Sequence, residues 1–206
     1  MQKLIKIGQR EYMEKLLNSG EVYFNTIDFF RKNDFGDYLR GDFAEGLKYS
    51  PLPNFRIPSL EKHGIKFKNA KINGDTEISH LYSMYMLTNE FWEGKMHFAK
   101  KIIEFGDYAV IIKPREFLEK ILKKAKVEVK YGPSSYYRTP TIPLSLNPFS
   151  KREEFKYQNE FRFVINSNLK DPVIIKIGDI SDIAIIVPTE SLFNMEFLKK
   201  EYHEKE

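Results

Sequence analysis

Apolar and polar positions follow two rhythms along this chain. Residues 4–7 form a short apolar run that reads as a strand, and residues 9–18 then set Tyr12, Met13, Leu16 and Leu17 on one helical face. Gly20 follows at the position where helices commonly end in a left-handed residue. Residues 21–30 predict an aromatic strand. Residues 80–88 carry no polar face apart from Ser83 and the ends, which predicts a strand deep in a sheet. Residues 91–105 turn helical, with Phe98, Ala99, Ile102 and Ile103 grouped and Gly106 as the stop. A buried strand is expected over 108–113. Pro114 opens a second amphipathic helix that turns Phe117, Leu118, Ile121, Leu122 and Ala125 to the core. Residues 127–131, 161–165, 173–177 and 183–187 predict four more strands, and 190–204 a charged closing helix.

Between these elements lie two irregular stretches. The first, at about 31–79, holds Pro51, Pro53 and Pro58 and a hairpin over 65–79 turning at Asn73-Gly74. The second, at 132–150, is rich in Pro, Ser and Tyr and is too long for a plain connector. The order, roughly eight strands to four helices with strands crowding the end, predicts an α+β class and a single domain over 1–206.

Composition narrows the chemistry. The net charge of +4 is spread evenly, so a nucleic-acid polycation is not expected. The 17 Phe and 12 Tyr must fill much of the core or line a pocket. Absent cysteine excludes thiol nucleophiles, disulfides and Cys-ligated metals. The four histidines, His63, His80, His97 and His203, lack ligand spacing, so no metal site is expected. No phosphate loop, dinucleotide glycine fingerprint, serine elbow or H-E-x-x-H appears. With no window long and apolar enough for a signal peptide or a span, the expectation is a cytoplasmic protein with no membrane partner. Any catalysis must then rest on carboxylates, amides, hydroxyls and arginines.

Three such groups line up in one place. Over 156–165, extended geometry would put Gln158, Glu160 and Arg162 on one face and Phe161, Phe163 and Ile165 on the other. A salt-bridged row on a solvated sheet face, the more frequent arrangement on a strand, would also explain this. The row follows the long loop, however, whose Tyr136, Tyr137, Arg138 and Phe149 are placed to cover a ligand. The segment Arg40-Gly41-Asp42-Phe43-Ala44-Glu45-Gly46 reads either as a ribose or cation clamp or as a tight turn with an Arg–Asp pair.

The Gln158-x-Glu160 frame at the opening of a strand resembles the motif of the Gln-x-Glu class of ADP-ribosyltransferases. A first strand, a helix ending in Gly20, a middle strand bearing Ser83 and a late glutamate strand are similar to that fold's order. The chain also resembles a broad set of functionally unassigned bacterial and phage proteins. That likeness runs through residues 20–25, through Arg40-Gly41-Asp42-x-x-Glu45-Gly46 and through Tyr157-Gln158-x-Glu160-Phe161-Arg162. The first resemblance implies a split mixed or antiparallel sheet with about four helices and NAD as the dinucleotide cofactor. It also implies transfer of ADP-ribose to a protein or nucleic-acid acceptor, or cleavage of NAD, in a toxin or phage-defence role. Glu160 would then be the catalytic carboxylate, Gln158 would aid the acceptor nucleophile, and Ser83 would support the nicotinamide side. Arg162, Arg31, Arg40, Lys6 and Tyr137 would serve the cofactor. The class places an arginine on the first strand; here that strand offers Lys6, with Arg10, Arg31 or Arg40 as stand-ins. A non-catalytic module holding a nucleotide, a nucleic acid or a protein in the same cleft is the other reading of these residues.

Overall fold

The computed structural model describes residues 3–33, 49–52, 70–73, 78–95, 97–138, 147–167 and 169–194. Most of the stretch at 31–79, with its glycine-bearing loop, and residues 195–204 of the closing helix expected over 190–204 lie outside these residues. Along the chain come β1 (Lys3–Gly8), α1 (Arg10–Ser19), β2 (Glu21–Thr26), α2 (Ile27–Asn33), β3 (Tyr49–Leu52), β4 (Ala70–Asn73) and β5 (Ile78–Leu87). They are followed by α3 (Asn89–Trp92), a 3-10 turn (Lys100–Phe105), β6 (Tyr108–Ile112), α4 (Pro114–Lys124), β7 (Val129–Pro133) and β8 (Ser135–Tyr137). The remainder is β9 (Ser150–Arg152), a 3-10 turn (Glu153–Gln158), β10 (Glu160–Ser167), β11 (Val173–Lys176), β12 (Ala184–Pro188) and a last 3-10 turn (Thr189–Phe193). The class is α+β.

Eight of the strands form one sheet whose pairings are all antiparallel. Strand β5 is its hub. One edge of β5 is taken along nearly its whole length by β10, from Ile78↔Ser167 to Tyr85↔Glu160. The other edge is shared: β2 pairs at Leu81 and His80, whereas β1 pairs at Tyr85, Met86 and Leu87. Between those two registers the sheet splits, and there the carbonyl of Ser83 accepts a hydrogen bond from Lys6 Nζ at 2.7 Å. Outward from the hub, β1 continues to β6 and β12, β2 to β11, and β10 to β7.

Strand alternation gives the sheet two buried faces. On one, Leu4, Tyr82, Met84, Val110, Phe161 and Phe163 pack against Met13 and Leu16 of α1 and Phe117 and Ile121 of α4. On the other, Ile5, Tyr85, Leu87 and Ile111 pack with Phe91, Phe98 and Ile102. A smaller apolar group on that second face joins Leu81 and Val164 to Ile27 of α2. Burial of both faces explains why 80–88 reads as continuously apolar.

Gly20 ends α1 in the left-handed region at φ 60°, its amide donating to Leu16 O at 3.1 Å. A Cβ there would sit 2.2 Å from the carbonyl oxygen of Gly178, so close approach as well as φ demands glycine.

Two expectations need correction. The helix over 91–105 is two short pieces, because Gly94 turns left-handed at φ 73° and residues 97–99 are not helical. Of the hairpin expected over 65–79, residues 65–69 and 74–77, with most of the turn, lie outside the described residues; within them β4 pairs antiparallel with β3, from Tyr49↔Asn73 to Leu52↔Ala70. The loop at 132–150 carries β8 and β9, which pair in parallel from Ser135↔Ser150 to Tyr137↔Arg152.

Candidate functional site

The second face of β5 and β10 changes character midway. Val164 and Leu81 lie in one apolar group and Tyr85 in another; between them stand Ser83, Arg162 and Glu160. Ser83 is the cross-strand partner of Arg162, and Tyr85 of Glu160, so the four side chains share one face. This is no wet row: the side chain of Arg162 is fully buried and that of Glu160 is 11% exposed.

Burying these groups requires that each charge be paired. Arg162 Nε donates to Glu160 Oε2 at 2.6 Å, and a guanidinium Nη donates to the carbonyl of Pro148. The other carboxylate oxygen, Oε1, accepts from Lys151 Nζ at 2.6 Å. Lys151 comes from β9, with a side chain 4% exposed. Its ammonium also donates to Gln158 Oε1. The backbone amide of Glu160 donates to the hydroxyl of Tyr136, from β8, at 2.8 Å. The two short strands set into the long loop thus bring a cation and a phenol to the carboxylate.

Burial by itself would push the Glu160 carboxyl up, but the positive charges of Arg162 and Lys151, and their hydrogen bonds, hold it down at about 2. Glu160 is therefore a buried anion at neutral pH. Burial, and then the Glu160 charge, pushes the Tyr136 phenol up; burial pushes that of Tyr85 up to about 12. Both phenols stay neutral beside the anion.

A folded-state pKa below the unfolded value gives stability that is present above about 4.3 and is lost as pH falls towards 2. On the order of 3 kcal/mol should disappear across that window in wild type. Urea unfolding at stepped pH checks this, with Glu160→Gln as the reference that lacks the titrating group. Equal acid dependence in the two proteins would show that Glu160 is not the group responsible.

Gln158 departs from the strand geometry expected of it. It closes the 3-10 turn before β10, and Asn159 takes a left-handed φ of 36°. That residue is clamped to β5, since its side-chain amide donates to Met86 O and its carbonyl accepts from the Met86 amide at 2.9 Å. Gln158 is nonetheless buried and reaches the same ammonium as Glu160, and its Nε2 donates to Tyr157 Oη at 3.3 Å.

The remaining expected residues divide. Lys6 Nζ lies 4.4 Å from the ring centroid of Tyr82, whose side chain belongs to the opposite face, so Lys6 fills the split from behind. Tyr137 lines a shallow charged hollow with Arg138, Arg152, Glu153 and Glu154. Arg10 is exposed on α1 and pairs with Glu14 at 2.7 Å, so it is no stand-in at this face. Arg31 falls in α2 with its side chain outside the described residues, and Arg40 lies outside them altogether. Sequence reasoning missed Lys151 and gave Tyr136 a covering role; a buried Glu–Arg strand whose flanks are apolar was the signal that a further polar partner had to arrive from elsewhere.

Among the described residues, no group of three or more His, Asp or Glu side chains is set to hold a metal ion, and no helix is long and apolar enough to cross a membrane. Set against protein-family models, curated proteins and solved structures, the chain finds no match.

Proposed function

We propose that this is an ADP-ribosyltransferase-like protein that binds a nicotinamide dinucleotide on the β5–β10 face and uses Glu160 to cleave it, passing ADP-ribose to a macromolecular acceptor or to water. The observation that carries the reading is the meeting of Ser83 and an ionised Glu160 on one face of adjacent strands, beside the split in the sheet. The first strand, the serine strand and the glutamate strand also lie side by side as β1, β5 and β10.

The chemistry follows from charge. Cleavage of the bond between ribose and nicotinamide develops oxocarbenium character at the ribose, and a fixed carboxylate stabilises it. Lys151 and Arg162 each occupy one lone-pair direction on a different oxygen of Glu160, and each oxygen keeps a second. The pairing thus fixes the carboxylate without saturating it.

One observation favours a non-catalytic module instead: both carboxylate oxygens are already bound to cations, and Lys6 sits on the far face. Calorimetric titration of NAD into wild type and Ser83→Leu tests the dinucleotide binding that the two readings share. Saturable binding in wild type, weakened at least about tenfold when leucine fills the face, is expected. Absence of binding in wild type would sink both the enzymatic reading and a dinucleotide-binding module.

A further inference from the structure

Gln158 and Glu160 are two residues apart but do not share a strand. The left-handed Asn159 swings the 3-10 turn away from β10, and what rejoins the two side chains is a single ammonium. Lys151 Nζ donates to Gln158 Oε1 at 2.5 Å and to Glu160 Oε1 at 2.6 Å. The ring of Phe155, from the intervening turn, lies 5.1 Å from the same ammonium. No other described cation touches both side chains.

We propose that Lys151 is a positioning residue of this site, binding the Gln158 carbonyl and one Glu160 oxygen to one ammonium so that each side chain offers a fixed edge to a ligand on the β5–β10 face. With its carbonyl held by Lys151, Gln158 directs its NH2 group to the Tyr157 hydroxyl, at 3.3 Å. Arg162 Nε donates to the opposite carboxylate oxygen of Glu160. Among the described residues, the charged and titratable groups facing Glu160 are Arg162 on its own strand, Lys151 from β9, Tyr136 from β8 and Tyr85 from β5. This role deepens the dinucleotide reading and, for turnover, rests on it.

The test is NMR of the Glu160 carboxyl carbon and the Gln158 side-chain amide in the full chain, for wild type, Lys151→Met and Lys151→Arg, with nicotinamide release from NAD measured alongside. In Lys151→Met the carboxyl should titrate at least about one pH unit higher than in wild type, and the Gln158 amide resonances should move. Turnover should lose about tenfold or more in kcat with KM within about twofold. Lys151→Arg keeps the charge but not the shape, so the carboxyl should titrate as in wild type while the Gln158 resonances still move. An unmoved carboxyl titration in Lys151→Met, or unmoved Gln158 resonances in either variant, overturns the role. Should Lys151→Met fail to fold, the Gln158 resonances of Lys151→Arg decide: displaced supports it, unmoved overturns it. A wild type that releases no nicotinamide counts against the dinucleotide reading, and the NMR result still decides on Lys151.

Discussion

Glu160→Gln is expected to cost about 3–5 kcal/mol of stability at neutral pH, although it changes the side chain by little more than one atom. The substitution removes the anion between two buried cations. Arg162 has no exposed side-chain surface and Lys151 is 4% exposed, so neither can recover water without unfolding. The new amide would also turn an NH2 group towards one of them, a donor facing a donor. Urea unfolding measures the loss. Removing all three charges, in Glu160→Gln, Lys151→Met and Arg162→Met together, should cost less than the single change, because no charge is then left buried alone. A single variant within about 0.5 kcal/mol of wild type would mean that the three groups are not the buried cluster described.

The second large effect lies on the opposite face of the same strand. Phe163 is fully buried, 5.9 Å from Phe117 of α4 in an edge-to-face contact, 6.2 Å from Tyr82 and 5.3 Å from Phe161. Phe163→Ala removes the ring that joins the sheet hub to α4 and leaves a cavity that rigid neighbours fill poorly. The expected loss is about 3–5 kcal/mol, a fall in Tm on the order of 10 °C for a chain of this size. Leu169→Ala, at a site 60% exposed, should change stability by less than about 0.5 kcal/mol. Similar losses in the two variants would contradict the assignment of Phe163 to the core.

Strand β10 shows how far residue order reaches. Its alternation is legible: Phe161, Phe163 and Ile165 fall in the main core, and Glu160 and Arg162 on the other face. Gln158 breaks the pattern because Asn159 adopts a left-handed conformation that period-two reasoning does not anticipate. Lys151 was illegible for a different reason. No helix or strand period links it to Glu160; their contact depends on β9 pairing in parallel with β8, a tertiary choice made within a Pro- and Ser-rich stretch. The division of one edge of β5 between β1 and β2 is likewise set by how strands meet in space, and Ser83 acquires its place at the split only there. Helix periodicity over 91–105 survived as apolar burial of Phe98 and Ile102 while the helix itself broke at Gly94. Burial was easier to read than continuity, since one left-handed residue redirects the backbone without altering which side chains avoid water.

The proposed activity stands on a carboxylate that is buried, ionised and fixed, and release of nicotinamide from labelled NAD tests it most directly. The full chain should be assayed beside Glu160→Gln at a temperature where circular dichroism shows both folded, with and without protein and nucleic-acid acceptors. Release by wild type is expected, reduced about a hundredfold or more in Glu160→Gln. No release by folded wild type under any of these conditions, or equal release by the two proteins, would contradict it.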